Sequence, residues 1–150
     1  MPSVMKHVVE ALRASLGQNI IAVVLFGSQA RHEADEQSDW DLFVIATGLP
    51  SKAFDRHLFL KRSLPASCRG IVSFLAKTPE EFEAHFSSLY LDIALDGEVL
   101  YDPQQYVSKL LSRLRKIMGD KGLYRERMDG ALVWRWRQEP VSPWSIAWGE

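Results

Sequence analysis

A single cysteine, Cys68, in a chain of 150 residues excludes an intrachain disulfide and a thiolate metal cluster. The four histidines, His7, His32, His57 and His85, lie far apart and lack zinc-site spacing, so none is assigned to a metal. No apolar run approaches transmembrane length. Lys6, Glu10 and Arg13 interrupt the first apolar stretch, which reads as an amphipathic helix and not as a signal peptide, and the expectation is a cytoplasmic protein. Charge of one sign is also missing. A net charge of −1 gives no overall electrostatic case for nucleic acid or membrane as partner, although acidic residues exceed basic ones before residue 103 and the reverse holds after it. Repeats and low-complexity tracts are absent. With 47% hydrophobic and 25% charged residues the composition is that of an ordinary globular chain. The expectation is one domain over 1–150, with a core over about 1–102 and a helix and Trp-rich hairpin over 103–150.

What is present is concentrated in residues 26–45, FGSQARHEADEQSDWDLFVI. A Gly-Ser pair closes one apolar run, 20–26, and ten residues later an Asp-x-Asp opens a second, 42–45. Continuous apolar runs are the signature of buried central strands. Side chains two apart on a strand share a face, so Asp39 and Asp41 should stand side by side while Trp40 and Leu42 point the other way. Mg²⁺ takes oxygen ligands and is commonly held by one or two carboxylates together with substrate phosphates. Gly27 and Ser28 suit those phosphates, because amides exposed where a strand turns into a helix attract anions and glycine allows close approach. Each half alone has an ordinary reading, a turn or a solvated strand end. The combination suggests a metal-chelated nucleoside triphosphate.

Elsewhere the pattern alternates helix and strand. Val4, Val8, Val9, Leu12 and Leu16 recur at helical spacing and Gly17 stops the run. A helix over 51–63, a strand around 71–75, a helix opened by Pro79, a strand over 99–101 and a helix from about Pro103 to Met118, ended by Gly119, follow. Asp129-Gly130 is a two-residue hairpin signal that places Arg125 opposite Trp134. Trp134 and Trp136 then share a face, either as an aromatic platform for a ligand or, the reading with more weight, as a seal on the core or sheet edge. The fold class is α+β, a small mixed β-sheet with helices mainly on one face and a C-terminal β-hairpin. The Gly-Ser and Asp strands should be neighbours.

The pattern Gly-Ser, ten residues, Asp-x-Asp, filled as GSQAR and SDWDL, resembles the minimal nucleotidyltransferases of the DNA polymerase β superfamily. LDIALDGEVLYD, residues 91–102, is also similar to that family. The resemblance implies a nucleotidyltransferase fold, Mg²⁺ as cofactor on Asp39 and Asp41 as the catalytic pair, and Gly27 and Ser28 on the nucleotide phosphates. Arg31 either helps anchor phosphate or pairs with Glu33 or Asp35. The implied reaction moves a nucleoside monophosphate, commonly AMP from ATP, to a hydroxyl acceptor, although nothing in the residues selects the base. Many minimal members act as the antitoxin of a pair with a small helical toxin-like protein, which makes a partner protein the expected acceptor.

Two departures stand out. His32 occupies a position where the family commonly has glycine. Family members also usually carry a third carboxylate on a later strand, and counting back from Thr78-Pro79-Glu80-Glu81-Phe82 puts Ser73 there. A serine is neutral and binds Mg²⁺ poorly, whereas a general base typically contributes about 10²- to 10⁴-fold in rate. The register is different, another acid substitutes, or the chain is a catalytically weakened module that binds nucleotide or a protein partner.

Overall fold

A computed structural model describes residues 1–138. Trp144 and Trp148, counted with the aromatic tail, lie outside the described residues. The order is α1 (Ser3–Leu16), β1 (Ile20–Phe26), α2 (Gly27–Ala30), β2 (Trp40–Ala46), α3 (Ala53–Arg62), β3 (Val72–Lys77), α4 (Pro79–Ala84), α5 (Ser88–Asp96), β4 (Glu98–Tyr101), α6 (Tyr106–Lys121), β5 (Leu123–Met128) and β6 (Ala131–Trp136).

Two sheets form. The larger has strand order β3-β2-β1-β4, with β1 antiparallel to both its neighbours and β2 parallel to β3. The Gly-Ser and Asp strands are therefore adjacent, with Phe26 opposite Asp41. The smaller sheet is the β5-β6 hairpin, in which Arg125 pairs with Trp134 as expected. Its two-residue turn puts Asp129 at φ 50° and Gly130 at φ 83°, the doubly left-handed conformation that suits Asp-Gly.

Alternation along β1 and β2 divides the core. Ala22, Val24, Phe43 and Ile45 face α4, α5 and α6, where Phe82, Tyr90, Ile93, Leu111 and Leu114 are buried. Val23, Leu25, Leu42 and Val44 face α1 and α3, against Met5, Val8, Leu12 and Leu60. The first face, which also carries Asp41, has the larger share of helix. The second is covered as well, because both sides of these strands are apolar and each needs burial. Phe82 packs edge to face on both Phe43 and Tyr90, and Phe43 and Tyr90 are tilted against each other, with ring centroids 4.9–5.7 Å apart.

Local signals explain most boundaries. Thr78 and Glu81 form a capping box around Pro79 at the start of α4, and Ser87 Oγ accepts from the Leu89 amide to start α5. The last helix differs from expectation at its end. It continues through Gly119, and Gly122, at φ +72°, terminates it. The left-handed residue is the one that ends the backbone ladder, and a glycine inside a helix only weakens it. The Gly122 carbonyl then accepts from the Arg137 amide at 2.7 Å, tying the hairpin to the helix end. Among the described residues no helix is long and apolar enough to cross a membrane.

Candidate active site

The site lies where β1 ends and β2 begins. Phe26 is extended, Gly27 turns at φ +76°, and α2 is one turn closed by the Arg31 amide on the Gly27 carbonyl at 3.2 Å. The expected helix after the Gly-Ser pair is thus short. Its exit requires His32 at φ 58°, which accounts for the glycine expected there: a left-handed backbone favours a residue without a Cβ. The loop back to β2 is organised by Asp35, whose carboxylate accepts from the Gln37 amide at 2.8 Å and from Ser38 Oγ at 3.2 Å.

Asp39 immediately precedes β2 and Asp41 is its second residue, so both lie on one face, as predicted. The start of the strand is fixed by the Trp40 amide on the Ile71 carbonyl, 2.8 Å. Gly27 packs on Asp41: a Cβ at this position would come within 2.3 Å of Asp41 Oδ2. Only glycine lets the turn and the carboxylate approach so closely. Burial, and then the charge of Asp39, raises the Asp41 carboxyl above its ordinary value, while the nearby Arg31 guanidinium acts in the opposite sense. Two like charges brought together on a half-buried face are the electrostatic condition for a cation, and an all-oxygen donor set suits a hard divalent ion.

Ser73 is brought to the same spot. In the parallel register it stands directly beside Asp41, and its hydroxyl donates to Asp39 Oδ2 at 3.0 Å. The register counted from the sequence is therefore correct. Among the described residues no group of three His, Cys, Asp or Glu is placed to hold a metal.

Arg31 is shared among acids. Its Nε donates to Glu33 at 3.2 Å and its Nη1 lies 3.7 Å from Asp96 Oδ2. Of the two partners anticipated, Glu33 is the one engaged, and Asp96 was not foreseen. Nor were Asp92 and Arg125 read as part of this region. Arg125 binds Asp96 through two hydrogen bonds, 2.6 and 2.7 Å, and Asp92 through a third, 3.0 Å, while Trp134 Nε1 donates to Asp92 Oδ1 at 3.0 Å. The signal available in the sequence was Asp92 and Asp96 at i, i+4 on one helix face, facing nothing of opposite charge nearby in the chain. Trp134 and Trp136 pack against the core, the heavier of the two readings given to them.

Comparison with known proteins agrees with this geometry. Residues 9–106 match the family model described as polymerase beta, nucleotidyltransferase. A Methanocaldococcus jannaschii protein whose name assigns it provisionally as a protein adenylyltransferase is 28% identical over 120 residues, which is 77% of this chain and 82% of that protein. Among solved structures, a toxin-antitoxin complex with AMP-PNP superposes with a TM-score of 0.54 at 18% identity, covering 77% of this chain and 90% of the other. A Shewanella oneidensis complex of a tri-AMPylated HEPN toxin with an MNT antitoxin gives 0.50 at 16% identity, covering 79% and 90%. At such identities the two structures establish a shared fold.

Proposed function

The chain belongs to the polymerase beta nucleotidyltransferase family, and on that premise we propose that it transfers AMP from ATP to a hydroxyl of a partner protein, the small helical toxin of a toxin-antitoxin pair. Asp39 and Asp41 hold Mg²⁺ in this reading, and Gly27, Ser28 and Arg31 hold the triphosphate. The observation that carries it is the close packing of Gly27 on Asp41. A backbone that can admit phosphate and a carboxylate pair that needs a cation occupy adjoining space, which is what one metal-chelated triphosphate requires.

Bound Mg²⁺ supplies charge neutralisation on the phosphates and a fixed geometry for displacement. The chain does the rest by positioning. β2 presents both carboxylates from a rigid strand, Ser73 holds Asp39 through its hydroxyl, and Arg31 adds positive charge beside Asp41. The acceptor oxygen forms a bond to the α-phosphorus as the bond to the bridging oxygen breaks, pyrophosphate leaves, and the hydroxyl proton is lost to water because neutral Ser73 does not take it. ATP and a protein acceptor are drawn from the relatives: one is named for protein adenylylation, and another is bound to a toxin carrying AMP.

Ser73 favours a second reading, a weakened transferase that serves mainly as a nucleotide-binding or partner-binding module. Incubation with ATP labelled at the α-phosphate, Mg²⁺ and candidate helical partners separates the two. Transfer of label by the wild type and its loss in Asp41→Asn supports the enzyme reading. Binding of Mg-ATP without transfer to any acceptor supports a nucleotide-binding module, and absence of Mg-dependent ATP binding refutes the enzyme and leaves only the partner-binding module.

A further inference from the structure

Three arginines and two carboxylates form a continuous bridge from β5 to the turn that follows the Gly-Ser pair. At its enclosed end, the Arg125 and Asp96 side chains are only 9% and 11% exposed and meet as a two-point fork. Asp96 also faces Arg31 Nη1 at 3.7 Å. At the open end Arg127, two residues along the same strand face, donates to Glu33 Oε1 at 2.7 Å, and the other Glu33 oxygen accepts from Arg31 Nε at 3.2 Å. Arg31 is thus held from two directions by carboxylates that the hairpin itself holds.

The division of hydrogen bonds matters. Arg125 takes the strong contacts of Asp96, so Arg31 keeps only a loose one and retains donors to offer elsewhere. A long guanidinium side chain loses rotamer freedom when it is ordered on a ligand, and anchoring it beforehand removes part of that loss from the binding step. Arg31 also reaches Asp41 electrostatically, so its anchoring is felt at the carboxylate pair. A staple that only fastened the hairpin to the core would need Arg125 and Asp96. It would have no use for the second arm through the exposed Arg127 and Glu33, 49% and 43% exposed, because such a surface pair adds little stability.

We infer that the C-terminal hairpin is a working part of the nucleotide site, with Arg125 and Arg127 as positioning residues that set Arg31 against the triphosphate through Asp96 and Glu33. This rests on the proposed use of Asp39 and Asp41 for a metal-chelated triphosphate.

The test is a binding cycle, read by calorimetry with Mg²⁺ and a non-hydrolysable ATP analogue, alongside the unfolding midpoint of each variant. Arg31→Gln should weaken binding about tenfold and Arg127→Gln about threefold, sizes typical of coupled polar contacts. The midpoint of Arg127→Gln should stay at the wild-type value. In the Arg31→Gln background, Arg127→Gln should cost nothing further, since its effect runs through Arg31. Unchanged affinity in Arg127→Gln, or an equal loss in both backgrounds, overturns the inference. Asp41→Asn distinguishes the layers: if it loses Mg-dependent binding while Arg127→Gln binds normally, only the role of the hairpin falls. If Asp41→Asn binds like the wild type, the metal-triphosphate reading fails and takes this inference with it.

Discussion

Gly27 and Asp41 are packed so closely that the smallest possible side chain on the first would overlap the carboxylate of the second, 2.3 Å from Oδ2 and 3.2 Å from Cγ. The turn at φ +76° and the direction of the carboxylate are therefore one steric unit. Gly27→Ala should both strain the backbone, by about 1–2 kcal/mol for a left-handed alanine, and push Asp41 out of line with Asp39. Displacements of about 1 Å cost on the order of 10²-fold in rate. The expected outcome is a folded protein with a slightly lowered unfolding midpoint and transfer activity reduced by about that factor, checked by thermal unfolding and label transfer together.

The position of Ser73 beside Asp41, with its hydroxyl on Asp39, makes a restored acid directly testable. A third carboxylate in Ser73→Asp adds repulsion to a site in which Asp41 is already raised by burial and by Asp39. Without metal the variant should unfold at a lower temperature than the wild type. With Mg²⁺ and ATP it should recover more of that loss than the wild type gains, and transfer should quicken by about 10-fold or more, within the range of a positioned base. Equal responses of both proteins to Mg²⁺ would mean that residue 73 does not face the cation.

His32 adopts the left-handed backbone conformation that the loop needs at the exit of α2. His32→Gly relieves about 1–2 kcal/mol of strain and gives back part of it through a more flexible unfolded chain, about 0.5–1 kcal/mol. The net expectation is a small gain, on the order of 0.5 kcal/mol, with transfer unchanged. Urea unfolding of the two proteins measures it. A loss of activity with unchanged stability would instead give the imidazole a part in the site.

The parts of this fold that were legible in the sequence are those encoded over a few residues. The runs of β1 and β2, the shared face of Asp39 and Asp41, the Pro79 helix start and the Asp129-Gly130 register all depend on short-range periodicity or turn chemistry. Even the missing acid at Ser73 could be counted, because the strand-to-helix junction at Thr78 fixes its register. The end of α6 was misread, since Gly119 and Gly122 are chemically identical and only backbone φ tells which one terminates the helix. The cluster around Arg31 was out of reach for a different reason. Arg125 meets Asp96 across 29 residues and Asp92 across 33, and such pairings are decided by how α5 and the hairpin pack on the sheet. Charge patterning within α5 can mark Asp92 and Asp96 as a pair in want of a partner, but it cannot name Arg125 as that partner.

Glu81 links the α4 capping box to a buried arginine, and its ionisation should be visible in stability. Its carboxylate accepts from the Thr78 amide at 3.0 Å and pairs with Arg56 at 2.8 Å, while Arg56 also donates to the Ala76 carbonyl at 3.2 Å. Burial pushes the Glu81 carboxyl up, but the hydrogen bonds from Thr78 and Arg56 outweigh it and hold the group down at about 2, against an ordinary 4.5. A carboxyl depressed in the folded state binds fewer protons there than in the unfolded chain, so its stabilisation is present above about pH 4.5 and is lost as pH falls towards about 2. Glu81→Gln keeps an acceptor for the Thr78 amide and removes the charge facing Arg56. Because the Glu81 side chain is 38% exposed, solvent screening limits the expected loss to about 0.5 kcal/mol at pH 7. The difference between the two proteins in urea unfolding should shrink through the acid window and vanish only once the pH lies below the depressed value of about 2, where both present a neutral group to Arg56. A difference that is constant with pH would show that the loss comes from packing, with the ion pair contributing nothing.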